Sequence, residues 1–179
     1  LAGGIDFMKS VPPTDAERVR RHPDLELVEV DDRSYTHLCW NLRRPPLDDV
    51  RVRRALALAI DRQALVDAVY RGAARVAVGP VLSTMWAFNR ELSPLPFDPA
   101  GARALLAEAG FADLDGDGFL EKDGRLLELE LLANSEDESR RDLALLIAAD
   151  LARVGVRVEP RLVEWGTLLS LRDAGDFDV

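Results

Sequence analysis

The pattern of apolar and polar positions predicts a chain in which helices alternate with strands. "LELVEV" (25–30) and "RLLELELL" (125–132) alternate with a period of two, which is typical of half-buried strands. "YTHLCWNL" (35–42) and "VRVEPRLV" (156–163) predict two further strands, because β-branched and aromatic residues favour strands. We expect the strand at 35–42 to lie beside the strand at 25–30.

Helical periodicity, bounded by capping residues, predicts the helices between these strands. Thr14 and Glu17 have the spacing of a capping box. Asp98, Pro99 and Gly110 supply a cap, a first-turn proline and a stop. The predicted helices cover 14–21, 49–60, 61–71 with Asp61 as its cap, 98–110, 136–154 and 165–175. Because helices and strands alternate along the chain, the predicted fold class is α/β.

The stretches between these elements are predicted to be connectors or turns. "RRPP" (43–46) interrupts regular structure, and the stretch 76–97, which contains several prolines, is a long irregular connector. Asp123 and Gly124 form a favoured hairpin turn. We therefore expect the strand at 125–132 to be entered through a tight turn.

Charge and composition narrow the classes of partner. The 179 residues carry a net charge of −9, whereas broad binding to nucleic acid needs a basic surface, so we expect no nucleic-acid partner. No apolar run is long enough to span a bilayer, and "ALALAI" (55–60) is far too short. A single cysteine, Cys39, excludes an internal disulfide and a multi-cysteine zinc site.

The two ends of the sequence predict that these residues are part of a longer protein. The chain opens with Leu1, without the charged and then apolar pattern of a signal peptide. At the other end, "LSLRDAGDFDV" (169–179) stops where a new apolar stretch begins. We therefore expect the signal peptide of the full protein to lie outside this fragment.

The acidic stretch "DLDGDGFLEKDG" (113–124) is the candidate metal site. Asp113, Asp115 and Asp117 alternate as the first ligands of a calcium loop do, but calcium needs roughly six to eight oxygens. The twelfth position, where an EF-hand has a bidentate glutamate, is Gly124. We therefore expect a structural turn built by aspartate and glycine. Weak calcium binding is the alternative, and no other cofactor is expected.

Candidate catalytic residues are confined to His37 and Cys39. On a strand the two side chains would share a face and could form a nucleophilic pair or half of a metal site. A lone cysteine is more often a small buried apolar residue, which is the interpretation we prefer. Since the sequence also has no Gly-x-Ser-x-Gly elbow, we predict that the protein is not an enzyme.

Several stretches, in the correct order, resemble one family of binding proteins. "NLRRPPLDDVRVRRALALAIDRQALVDAVYRG" (41–72) resembles a segment of the family-five extracellular solute-binding proteins, in which a strand runs through a proline turn into a helix reading "VRxALxxAIDR". The stretch 97–132 is similar to the family's helix, acidic turn and hairpin, and 147–179 to its next helix, strand and tryptophan-containing segment. With "GGIDFMKSVPP" (3–13), the resemblance spans nearly the whole chain.

The resemblance implies a fold and a function. The fold would be one lobe of a two-lobed periplasmic-binding-protein-like fold of class II, with a mixed sheet and flanking helices. Residues 1–42 would be the hinge-proximal segment leading out of the N-terminal lobe, and 43–179 a truncated C-terminal lobe. The implied function is the substrate-binding component of an ABC importer, which captures a peptide or similar small solute and delivers it to the membrane subunits. We expect a monomer that is periplasmic or extracellular and membrane-associated, as a lipoprotein is.

A second function, from another class of protein, stays open. Some transcriptional regulators resemble the same family in a ligand-sensing domain, so the alternative is the sensor of a cytoplasmic regulator. A full-length gene that begins with a signal peptide would favour the importer component. One that begins with a helix-turn-helix would favour the regulator.

Five residues are the candidate ligand contacts: Trp40 and Asn41 at the end of a predicted strand, and Ser83, Thr84 and Trp86 in the long connector. In a binding protein, an aromatic side chain in a loop offers a large contact area with few rotors to freeze. The alternative for Trp40 and Trp86 is a core-capping position, and both interpretations stay open. If Trp86 faces a ligand cleft, we expect it to be at least partly exposed.

Overall fold

The computed structural model describes residues 4–9 and 11–179. The helices are α1 (Ala16–Arg20), α2 (Val50–Ala59), α3 (Arg62–Leu65) with a π-helical turn after it (Val66–Tyr70), α4 (Pro99–Glu108), α5 (Glu138–Ala152) and α6 (Trp165–Ala174). The strands are β1 (Glu121–Lys122), β2 (Arg125–Leu126), β3 (Glu128–Asn134) and β4 (Arg157–Val163). None of the described helices combines the length and apolar character that crossing a membrane requires.

Side-chain caps begin several helices, and two of them confirm predictions. Asp61 and Asp98 each accept a hydrogen bond from the backbone N–H three residues later, at 3.0 and 2.9 Å. The capping box predicted from Thr14 and Glu17 is wrong. Helix α1 begins after Asp15, whose side chain makes no capping hydrogen bond. Glu17 pairs instead with arginines one turn further on, so its carboxylate is not directed back to the start of the helix.

A parallel strand pair, β3 and β4, is the main sheet element. The residues from Glu128 to Asn134 pair in register with those from Arg157 to Val163. Leu129, Leu131 and Ala133 alternate on the buried face of β3, as the period-two pattern predicts. A parallel connection needs a crossover, and α5 supplies it and packs on both strands.

A short antiparallel hairpin, β1 and β2, precedes this pair. Its turn residues Asp123 and Gly124 have φ angles of 53° and 72°. A type I′ turn requires positive φ at both central residues, and an Asp-Gly dipeptide adopts them at low cost. The predicted hairpin turn is therefore confirmed.

Helix α2 contributes one apolar stripe to the core. Val52, Ala55, Leu56, Ala59 and Ile60 are each 3% exposed or less, which confirms the predicted stripe. They pack against α4 on one side and approach α5 on another. Complete burial of a leucine such as Leu56 stabilises the fold by about 1.5–3 kcal/mol relative to leaving it exposed.

Residues 25–30 and 35–42 are not strands, so both of these predictions are wrong. Val28 and Val30 are 69% and 80% exposed. No sheet in the described part of the chain includes either stretch. A strand is stable only when its backbone N–H and C=O groups find partners in a sheet. Strand-favouring residues alone therefore leave both stretches irregular.

The last residues of the chain return to β3 and to the proline turn. The N–H of Val179 donates to the carbonyl of Glu130 at 3.1 Å, and the N–H of Leu132 donates to the carbonyl of Val179 at 2.9 Å. The guanidinium of Arg44 pairs with the carboxylate of Asp178 at 3.2 Å. The 43–46 turn is thereby joined to the main sheet.

Candidate functional site

An open groove beside Trp86 is the candidate ligand site. Its volume is about 660 Å³, within the roughly 300–1,000 Å³ that ligand pockets occupy. Trp86 is 99% exposed, so the expectation of at least partial exposure is confirmed. An indole in this position leaves a large apolar surface in water, which a bound partner would cover at a gain in free energy. The groove is lined by Asp31, Arg33, Val81, Thr84, Met85, Trp86 and Ala87.

Two consecutive turns hold the loop that carries Trp86. The N–H of Met85 donates to the carbonyl of Leu82 at 2.9 Å, and the N–H of Phe88 donates to the carbonyl of Met85 at 3.1 Å. Bonds from residue i+3 back to residue i are typical of β-turns. The indole is thus presented at the tip of the loop by a hydrogen-bonded backbone.

The charged side chains at the groove differ in their partners. The carboxylate of Asp31 lies 3.8 Å from the guanidinium of Arg75. Asp32 accepts hydrogen bonds from the Ser34 hydroxyl at 2.6 Å and from the Arg33 backbone N–H at 2.7 Å. The Ser34 bond and then the backbone bond lower the pKa of Asp32, because both favour its charged form. Among the described residues, no carboxylate lies within 4.0 Å of the Arg33 guanidinium.

Trp40 and Asn41 lie on the core side and do not line the groove. The Asn41 amide donates hydrogen bonds to the carbonyls of Gly175 at 3.0 Å and Phe177 at 2.8 Å. The Asn41 backbone N–H donates to the carbonyl of Asp178 at 2.9 Å, and the residue is 7% exposed. Trp40 is half-buried against the core. A ligand contact by Trp40 or Asn41 stays a prediction.

The structure brings only part of the predicted loop set to the groove. Thr84 and Trp86 line it, whereas Ser83 is exposed on the same loop outside the lining. Sequence reasoning missed Asp31 and Arg33, because the groove joins two segments far apart in the chain. The run "DDRS" (31–34) is typical of a surface turn, and no local pattern reports which loop it contacts.

The acidic stretch 113–124 forms a turn, as the sequence predicts. The Asp113 carboxylate accepts hydrogen bonds from the backbone N–H groups of Gly116 at 2.7 Å and Gly118 at 3.1 Å. These glycines have φ angles of +82° and +93°, which residues with a Cβ rarely adopt. Exposed carboxylate oxygens of Asp113, Asp115 and Asp117 lie within 4.8 Å of one another. Three such oxygens are fewer than calcium prefers.

We expect calcium to leave the melting temperature of the protein unchanged. The Asp113 carboxylate already accepts hydrogen bonds from backbone N–H groups. An ion that binds only the folded state raises the melting temperature as its concentration rises, so an unchanged melting temperature indicates that calcium does not bind. Differential scanning fluorimetry at 0 and at millimolar calcium checks this, with magnesium as the control ion. A calcium-specific rise that Asp115→Asn removes would show a true site instead.

His37 and Cys39 are both exposed, so the expectation of a buried cysteine is wrong. The reason is the absence of a strand at 35–42, since no neighbouring strand covers these side chains. The His37 ring lies 5.2 Å from the Tyr35 ring, in a tilted arrangement. His37 and Cys39 therefore do not share the face of a strand.

Solved structures identify the class of protein. The structure of the oligopeptide-binding protein AppA from Bacillus subtilis, in complex with a nonapeptide, matches with a TM-score of 0.87 at 31% identity, over 94% of this chain and 34% of that chain. NikA from Brucella suis, in complex with Fe(III)-EDTA, matches with a TM-score of 0.72 at 30% identity, over 78% of this chain and 28% of that chain. The fold is that of part of one lobe of a two-lobed periplasmic binding protein, with mixed helix and sheet.

The chain belongs to the bacterial extracellular solute-binding proteins of family 5, because the model of that family's middle region matches residues 1–179. The oligopeptide-binding protein AppA of Bacillus subtilis (strain 168) is 32% identical over 179 residues, which are 99% of this chain and 33% of that protein. The dipeptide-binding protein of Escherichia coli (strain K12) is 34% identical over 166 residues, 92% of this chain and 29% of that protein. The chain spans about a third of the length of these relatives.

Proposed function

We propose that this chain is part of the substrate-binding component of an ABC importer, which captures a peptide or similar small solute between two lobes. The relatives are named for oligopeptide and dipeptide binding, which supports a peptide as the solute. They are solute-binding proteins rather than enzymes, so we propose a function without catalysis. They give no support to the alternative, the ligand-sensing domain of a cytoplasmic regulator.

The proposal extends to the organisation of the whole protein. Residues 1–42 would lead out of the N-terminal lobe, and 43–179 would form a truncated C-terminal lobe. The core is consistent with this division, because its buried members run from Leu47 onward, with Leu38 and Trp40 only partly buried against them. Family members are periplasmic or extracellular. A membrane-anchored monomer that delivers its ligand to the importer's membrane subunits is the finer proposal.

The exposure of Trp86 is the observation that carries the ligand site. The side chain is 99% exposed at the rim of a groove of about 660 Å³, on a loop with hydrogen-bonded turns. A pre-formed loop loses little entropy on binding, and an aromatic anchor supplies much of the affinity at recognition sites. Trp86 and Thr84 are therefore the proposed contacts on this lobe, with Ser83 beside them.

In the full-length protein, Trp86→Ala is expected to weaken peptide binding by about 5- to 30-fold, corresponding to about 1–2 kcal/mol for an aromatic anchor. The peptide is first identified by mass spectrometry of ligands that co-purify with the protein. Isothermal titration calorimetry then compares the variant with wild type.

Trp165→Ala is the matched control for this measurement. Trp165 is 40% exposed at the start of α6, outside the groove, and stacks with the Arg140 guanidinium at 5.0 Å. Its removal should leave the peptide affinity within about twofold. Unchanged affinity in Trp86→Ala would remove the groove from the proposed site, and equal losses in both variants would indicate general destabilisation.

A further inference from the structure

The groove beside Trp86 contains one cationic side chain without an acidic partner among the described residues, Arg33. Neither neighbouring carboxylate lies within 4.0 Å of the Arg33 guanidinium, although Asp31 also lines the groove. Asp31 lies 3.8 Å from Arg75, and Asp32 is turned toward the Ser34 hydroxyl and the backbone N–H of Arg33. The Arg33 guanidinium is therefore available to an anion that enters the groove.

Apart from Arg33 and Asp31, the lining of the groove is mainly apolar. Val81, Met85 and Trp86 are 37%, 40% and 99% exposed, so they offer apolar surface to a group that enters the groove. Thr84 adds one hydroxyl, which both donates and accepts hydrogen bonds. A guanidinium next to an aromatic and aliphatic surface is complementary to a molecule that carries an anionic group beside an apolar one.

We propose that Arg33 binds a carboxylate of the ligand while Trp86 and Met85 cover a neighbouring apolar side chain, so that this lobe selects short peptides by that pair of features. This inference rests on the proposed peptide-binding function and names the chemistry that the groove prefers. The planar guanidinium matches a carboxylate with two parallel hydrogen bonds, which a lysine does not reproduce. A peptide offers such a carboxylate either at its C-terminus or on an acidic side chain.

A short-range contact at Arg33 accounts for this selection without help from the overall charge of these residues. These 179 residues carry a net charge of −9, so they add no long-range attraction for an anionic ligand. Attraction must then come from a short-range hydrogen-bonded pair. The free energy of a hydrogen bond to a charged group makes an anionic ligand bind roughly 10- to 100-fold more tightly than its neutral analogue.

Three synthetic peptides separate the two sources of carboxylate. They are Ala-Phe-Ala with a free C-terminus, the same peptide as a C-terminal amide, and Ala-Phe-Glu as a C-terminal amide. Calorimetry on the full-length protein is expected to show that the amide of Ala-Phe-Ala binds at least tenfold more weakly than one of the two acids. The acid that retains the affinity identifies which carboxylate Arg33 binds.

Arg33→Gln is expected to abolish this preference and to leave the affinity for the neutral amide within about twofold. Arg33→Lys should retain only part of the preference for the acid. Arg90→Gln is the matched control, since Arg90 is an exposed arginine in the connector that carries Trp86 but lies outside the groove lining, and it should keep the wild-type preference. Thermal melting checks that each variant is folded.

The outcomes separate this inference from the proposed function. Equal binding of all three peptides, or a preference that survives in Arg33→Gln, would overturn the role of Arg33 and leave peptide binding intact. Failure of wild-type protein to bind any of the three, together with the absence of peptides among its co-purifying ligands, would overturn the proposed function and the inference with it.

Discussion

Asn41→Ala is expected to lower the free energy of unfolding of the full-length protein by about 2–4 kcal/mol. The Asn41 side-chain amide donates to the carbonyls of Gly175 and Phe177, at 3.0 and 2.8 Å, and the residue is 7% exposed. Alanine would remove both donors and leave two partly buried carbonyls without partners, at about 1–3 kcal/mol for each unsatisfied group. The bonds join residues more than 130 positions apart, so their loss weakens the attachment of the last residues, which backbone bonds of Asn41 and Val179 still hold.

Urea unfolding followed by circular dichroism measures this change as a lower midpoint, while the slope of the unfolding free energy against urea concentration stays constant. Asn89→Ala is the matched control. Asn89 is exposed and accepts one local hydrogen bond, from the Glu91 N–H at 2.9 Å, so its removal should cost less than about 1 kcal/mol. A similarly small loss of stability in Asn41→Ala would mean that water replaces the amide and that the bonds from Asn41 to Gly175 and Phe177 do not stabilise the fold.

Gly155→Ala is expected to lower the free energy of unfolding by about 2–5 kcal/mol, for a different reason. Gly155 follows α5 with φ +85°, a conformation that costs other residues about 1–2 kcal/mol. A Cβ at this position would also lie 2.7 Å from Cγ of Leu120 and 3.3 Å from the carbonyl oxygen of Gly118. The Gly118 oxygen belongs to the backbone and cannot move aside as a flexible side chain can. The clash therefore adds about 1–3 kcal/mol, which is the usual cost of overpacking.

Gly175→Ala separates the two contributions. Gly175 has φ +72° at the end of α6, but nothing lies within 4 Å of a Cβ built there. Its replacement should therefore cost only the conformational part, about 1–2 kcal/mol. Equal midpoints of urea unfolding for the two variants would show that the Leu120 contact relaxes freely and that the close approach to Gly118 has no consequence for stability.

Local chemistry made much of the fold predictable. Asp98 caps α4, and Asp123 and Gly124 form the hairpin turn, because each depends on hydrogen bonds or φ angles within a few residues. The stripe on α2 and the alternation on β3 were equally readable, since a helix or strand with one buried face repeats its apolar residues with its own period.

The candidate site was predictable only in part. The loop position of Trp86 followed from the prolines and glycine around it, and its exposure is what a ligand-facing residue requires. Arg33 could not be found in the same way. Its place in the groove depends on how 31–33 and 81–87 pack in three dimensions, and neither segment has a repeating pattern that specifies the other.

The sequence by itself determined the α/β class, the helix caps at Asp61 and Asp98, the turn at Asp123 and Gly124, and the family to which the chain belongs, because these depend on local spacing and on an ordered set of motifs. Tertiary structure alone decided that 25–30 and 35–42 are not strands, since a strand requires a partner and no local residue supplies one. It also decided that Asn41 bonds to Gly175 and Phe177. A buried amide takes whichever carbonyls the folded chain brings within reach, and contacts between distant segments leave no periodic trace in the sequence.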